Sequence, residues 1–166
     1  SVAGRRDALE SFEGLDQFDA LEQFNRAFLD SDWGDGFPLY PPTEERVEAL
    51  LQGTALDPDE VVCMLPPGSG YASVRKIAVN ATMAGCKPEH LSVVIAGAKA
   101  LAKLDPQDAR GGLMSTSANG PIWIVNGPIA RALGINSGRA TLGPGKQSIV
   151  NITIGRALLL TLKNVG

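Results

Sequence analysis

Ala72-Ser-Val-Arg-Lys-Ile-Ala-Val-Asn-Ala-Thr-Met-Ala-Gly85 runs directly into Cys86-Lys-Pro-Glu-His-Leu-Ser-Val-Val-Ile-Ala-Gly-Ala-Lys-Ala-Leu-Ala-Lys-Leu104. In the first stretch Val74, Ile77, Ala78, Ala81 and Ala84 recur at three- and four-residue steps, which predicts a helix over 72–85 with one core face. Gly85 suits a left-handed C-terminal cap, and Pro88 suits the first turn of a second helix over 88–104. Leu91, Val94, Ile95, Ala98 and Leu101 share its apolar side, and His90 falls on the outer one as a surface residue. The connection is short, so the two helices are expected to be antiparallel neighbours or to meet at a sharp angle.

Toward the N-terminus, Val61–Leu65 reads as a buried strand stopped by Pro66-Pro67-Gly68. Asp57-Pro58-Asp59-Glu60 reads as an N-cap followed by proline at the first helical position. Thr43 can cap a helix carrying Val47, Leu50 and Leu51, and the Gly/Pro-rich stretch Trp33–Pro42 before it reads as a loop. Residues 1–32 are expected to form an acidic amphipathic docking helix whose stripe is Leu15, Phe18, Leu21, Phe24 and Phe28. Toward the C-terminus, Pro121–Asn126 reads as a buried strand and Ile129–Leu133 as a short helical turn. A Gly-rich loop over 134–147 then leads into a helix over 148–163 that is apolar nearly all round, and so belongs in an interior or an interface.

These elements predict an α/β or mixed α+β fold: a helix-rich single domain (33–166) around a small sheet, with a buried C-terminal helix. The 166 residues, 44% hydrophobic and 20% charged, suit one globular core. A net charge of −3 without Lys/Arg blocks argues against nucleic acid and anionic membrane surfaces as partners. With no signal-like segment and no apolar run of about 20 residues, a cytoplasmic protein is expected. Cys63, Cys86 and the lone His90 have no metal-ligand spacing, and no cofactor is indicated.

Several polar residues could carry chemistry. Ser73, Lys76 and Asn80 project together opposite the core face of the 72–85 helix, where Lys76 could bind a carboxylate or act as a base; a solvated face is the competing role. Asn126, Asn136 and Asn151 offer uncharged donors and acceptors for orienting a substrate, against local turn formation beside glycine. Asn151, set among isoleucines, needs a partner if buried. Gly143-Pro144-Gly145-Lys146-Gln147-Ser148 enters a helix, and free N–H groups beside Lys146 attract anions, although the spacing is not a P-loop. Cys86 stands beside Lys87 at a helix start, a setting that favours thiolate; inert packing is the alternative.

Asp35-Gly-Phe-Pro-Leu-Tyr-Pro-Pro-Thr-Glu-Glu-Arg-Val47, Lys76–Cys86, Ile124-Val-Asn-Gly-Pro128, Leu133-Gly-Ile-Asn-Ser-Gly138 and Thr153-Ile-Gly-Arg-Ala157 occur in this order. Together they resemble an uncharacterised bacterial family that accompanies UGSC (selenocysteine or cysteine) proteins. Relatives carry Thr-Thr-His-Pro where this chain has Ser115-Thr-Ser-Ala118, and they continue past the position of Gly166. The resemblance therefore implies a missing C-terminal portion and a second protein chain as partner, in a hetero-oligomer. It also draws Lys76, Cys86, Ser73, Asn80, Asn126, Asn136, Ser137, Gly145, Lys146 and Asn151 into one expected pocket. The expected function is that of an enzyme subunit binding a small anionic or carbonyl-containing molecule, with sulfur or thiol chemistry implied by the family. The alternative is a non-catalytic scaffold or regulatory subunit.

Overall fold

The computed structural model describes residues 11–105 and 120–166. In chain order its elements are α1 (Gln17–Asp30), α2 (Glu44–Leu51), β1 (Val61–Leu65), β2 (Gly70–Ser73), α3 (Val74–Met83), α4 (Leu91–Leu101), α5 (Pro128–Ala132) and α6 (Ile149–Val165). Single 3₁₀ turns at Pro88–His90 and Lys146–Ser148 lead into α4 and α6. This is a helix-rich mixed α+β domain whose sheet, among the described residues, is the antiparallel hairpin β1–β2.

The central helix is α3, packed against α2 on one side and α6 on another, with α4 beside both α3 and α6. Val74, Ile77, Ala78 and Ala81 are wholly buried, as their spacing requires. Its start is fixed by Ser73, whose Oγ accepts the Lys76 N–H at 3.3 Å. Its end closes as a two-bond glycine cap: the Gly85 N–H donates to Thr82 O and the Cys86 N–H to Ala81 O, both at 2.9 Å. Gly85 holds φ +84°, and a Cβ there would stand 2.9 Å from the Tyr40 ring, so glycine is required twice over. On α4, Leu91, Val94, Ile95, Ala98 and Leu101 are buried as expected.

Four local expectations are corrected. His90 is buried, 4% exposed, because its Nδ1 accepts the Lys87 N–H at 3.2 Å and the ring folds under the turn. Asp57 caps no helix: its Oδ1 accepts the Asp59 N–H at 2.8 Å in a turn feeding β1. Only Leu65 of β1 is fully buried; Val61 and Met64 are more than half exposed, because the hairpin lies at the margin of the helices. Pro121–Asn126 pairs with no strand among the described residues, and none of its residues is fully buried.

α1 is capped by Asp16, whose Oδ1 accepts the Phe18 and Asp19 N–H groups. Only the far half of its apolar stripe packs. Phe24 is buried and Phe28 half-buried, whereas Leu15 and Phe18 are 100% and 80% exposed. Phe12, Phe24, Phe28 and Trp33 make a chain of ring contacts with centroids 5.5, 4.3 and 5.2 Å apart. α6 buries Ile154, Ala157, Leu158, Leu160, Thr161 and Leu162, which makes its C-terminal half the spine of the core.

Candidate functional site

Three of the motif segments meet where the 34–40 loop crosses α6 and the end of α3. Arg156 donates from Nε to Asp35 Oδ2 at 2.7 Å and from Nη2 to Asp35 Oδ1 at 2.8 Å. The same Nη2 also reaches the carbonyls of Phe37 at 3.1 Å and Pro38 at 3.0 Å. Arg156 donating to Asp35 holds that carboxyl below its ordinary value of 3.8, against an opposing push from burial. Two turns further along α6, Lys163 pairs with Asp32 at 2.6 Å, an exposed contact of small energetic weight. The Tyr40 N–H donates to Met83 O at 3.1 Å, and Cys86 Sγ lies 3.5 Å from Thr153 O. Between this loop and α1 runs a groove of about 280 Å³ lined by Asn25, Arg26, Leu29, Gly36 and Phe37 among others. Asn25 forms part of its wall and is fully engaged, accepting the Leu39 N–H at 2.6 Å and donating to Leu21 O at 3.0 Å.

Asp35 and Arg156 were not singled out from sequence as a pair. Both stand inside quoted motifs, but they lie 121 residues apart and nothing local joins them.

The amides singled out at 136 and 151 do converge, on each other. Asn151 Oδ1 accepts the Asn136 N–H at 2.9 Å, while its Nδ2 donates to Asn136 O at 2.9 Å and Thr141 O at 3.1 Å. Asn136 Nδ2 donates to Arg139 O at 2.9 Å and Ser148 Oγ at 3.1 Å, and its Oδ1 accepts the Gly138 N–H at 2.9 Å. Ser148 Oγ in turn donates to Ala140 O. Both donors of each amide are thus engaged in shaping the 136–148 loop, so neither is free to orient a substrate. Removing the hub, Asn151→Ala, leaves the Asn136 N–H and carbonyl unpaired in a half-buried place. Urea unfolding is expected to show a loss of about 2 kcal/mol; a change under 0.5 kcal/mol would mean that water replaces the amide without penalty.

The other expected site residues do not join this cluster. Ser73 serves the cap of α3, and Lys76, exposed, donates from Nζ to Tyr71 O at 3.0 Å. Asn80 is only 3% exposed; its Nδ2 donates to Lys76 O at 2.9 Å and its Oδ1 accepts from Asn164 Nδ2 at 2.6 Å. The supposed outward face of α3 is therefore interior at Asn80, where α6 covers it, and open at Lys76. Gly145, at φ +130°, gives its carbonyl to the Ser148 N–H at 3.0 Å, which removes one of the N–H groups expected to be free at that helix start. Asn126, Ser137 and Lys146 are exposed. Ser117, where the resemblance implies a His, lies outside the described residues.

Cys86 is placed against the direction expected of a nucleophile. Burial pushes its thiol up to about 12, and burial also raises Cys63. At pH 8 Cys86 should alkylate with iodoacetamide roughly a hundredfold more slowly in the folded chain than in urea, since only the thiolate reacts. Equal rates by peptide mass mapping would show an accessible, activated thiol.

No family model, curated protein or solved structure matches the chain. The likeness to UGSC-associated proteins therefore rests on the quoted motifs alone. Among the described residues, no group of three or more His, Cys, Asp or Glu is placed to hold a metal ion, and no helix is long and apolar enough to cross a membrane.

Proposed function

We propose that the chain acts as a scaffold or regulatory subunit of a multi-chain assembly. Support comes first from the apolar side chains turned outward at the start of α6. Leu142 is 85% exposed, Ile149 57% and Ile152 44%. A Cβ on Gly143 would lie 3.0 Å from Ile152 Cδ1, so the loop carrying Leu142 rests on the same turn of helix. Single exposed leucines are ordinary, whereas grouped ones rimmed by polar residues suit contact with another protein. The satisfied amides and the half-buried Cys86, its thiol raised by burial, count on the same side, because they leave little of the expected pocket unengaged. An enzyme subunit for small anionic or carbonyl-containing molecules would have to rest on Asn126, Ser137 and Lys146. Two unpaired cysteines fit a reducing, cytoplasmic setting.

Native mass spectrometry on protein taken from its own cells tests this reading. The wild type is expected to carry a further chain, and Leu142→Glu/Ile152→Glu to be a folded single chain of unchanged circular dichroism. A wild type found only as one bare chain at micromolar concentration would defeat it.

A further inference from the structure

Lys87 and His90 are tied to each other twice across the turn between α3 and α4. The Lys87 N–H donates to His90 Nδ1 at 3.2 Å, and the His90 N–H donates to Lys87 O at 2.9 Å. The first of these bonds needs a bare ring nitrogen, because an imidazolium carries a hydrogen on both nitrogens and accepts nothing. Two further features oppose a charged ring. His90 is 4% exposed, and it stands at the N-cap of α4, the positive end of the helix dipole. The turn also meets the exit of α2 backbone to backbone, since a Cβ on Gly53 would run into Pro88 O.

We infer that this turn is an acid-opened joint: a proton from solvent adds to the Nδ1 lone pair of His90, the Lys87 N–H loses its acceptor, and residues 87–90 open away from Gly53 with α3 still packed on α6. Burial is the largest influence on the ring and holds it below its ordinary value of 6.5. Of the charges that act on it, Glu89 favours the proton and Lys87 opposes it, both from the same turn. α2, which packs against the turn, bears Glu44, Glu45, Arg46 and Glu48; Arg46 reaches Pro41 O and Glu48 pairs with Arg75. On α4 the charged residue is Lys99, near the far end. Among the described residues, no carboxylate outside the turn acts on the ring to keep the proton there. The closed turn is therefore at full strength above pH 6.5 and weakens as pH falls through that value toward the lower folded one. One proton changes the opening constant by at most about tenfold per pH unit. Asp35 titrates below 3.8, so the two effects are separable. The joint needs no second chain, and its failure leaves the subunit reading untouched.

Amide exchange on the full chain between pH 7 and pH 5, corrected for the intrinsic rate, tests this beside an NMR titration of the ring, the chain's single histidine. The Lys87 N–H is expected to exchange faster than the Ile77 N–H at every pH, because it opens without global unfolding. Its protection should fall several-fold on going to pH 5, and the ring should titrate below 6.5. His90→Asn, whose side-chain oxygen can accept but does not titrate, should show no such fall. A Lys87 protection that stays level with pH, falls equally in His90→Asn, or matches that of Ile77 overturns the inference. So does a ring midpoint at or above 6.5. Should His90→Asn not fold, the wild-type ring midpoint and Lys87 protection decide alone.

Discussion

Arg156→Ala is expected to lower unfolding free energy by about 2–3 kcal/mol at neutral pH, the range for removing one partner of a largely buried, charge-assisted pair. The side chains of Arg156 and Asp35 are 20% and 27% exposed, so little solvent screens the contact. The variant loses the two-point contact with Asp35 and also strands the carbonyls of Phe37 and Pro38. Arg156→Lys should restore less than half of the loss, because an ammonium cannot present two parallel donors to one carboxylate. The pH dependence follows from the depressed carboxyl of Asp35. Its stabilisation is complete above the ordinary carboxylate value and fades as pH falls through the lower folded one. Wild type and Asp35→Asn should therefore differ most near neutral pH and converge as pH falls below the ordinary carboxylate value of 3.8 and through the lower folded one. Urea midpoints measured at several pH values check this; a gap that stays constant with pH would mean that the carboxyl is not ionically held.

The parts of the fold written most clearly in sequence are those whose causes are local. The α3–Gly85–α4 unit needs only periodicity, a glycine at positive φ and a proline in the next first turn, and all three stand within a few dozen residues. Thr43 is legible for the same reason: its Oγ1 accepts the Arg46 N–H that it was placed to cap. The failures concern what lies on the far side of an element. Spacing puts Ser73, Lys76 and Asn80 on one face, but it cannot say that α6 covers part of that face, and so Asn80 is interior. Asn151 is legible in sequence as an amide that needs a partner if buried; that the partner is the Asn136 backbone depends on the course of the 136–148 loop. Likewise Pro121–Asn126 shows the apolar content of a strand, while its burial depends on a neighbour that its own residues do not name.

This division shapes what the candidate site is. Residues chosen for their chemistry turned out to be the ones that fold the loops: Ser73 caps, Asn136 and Asn151 tie, Gly145 turns. Polar residues that hold backbone in place and polar residues that bind ligands have the same composition, and only the count of unsatisfied donors separates them. Here that count leaves few free groups inside and several large aliphatic side chains outside, which is the ground on which the subunit reading is proposed.

Leu158→Ala should cost about 3–4 kcal/mol, from lost burial and the cavity left behind. Leu158 is 1% exposed on the buried half of α6, and its two methyl groups sit where α4 comes closest. The closeness depends on Gly97: a Cβ at that position would lie 2.8 Å from both Leu158 Cδ1 and Cδ2. In the wild type, then, Gly97→Ala gains about 1 kcal/mol of helix propensity and loses about 1–3 kcal/mol to overpacking, for a net loss. In the Leu158→Ala background the obstructing methyls are gone, the new methyl enters the cavity, and the same Gly97→Ala change should stabilise by about 1 kcal/mol. A reversal of sign is a sharper result than a magnitude, because propensity alone gives a gain in both backgrounds and general disruption gives a loss in both. Chemical unfolding of the four proteins in the cycle decides it. Two losses that simply add would show that α4 and α6 do not meet through this pair, and the placement of α6 as the spine of the core would have to be redrawn.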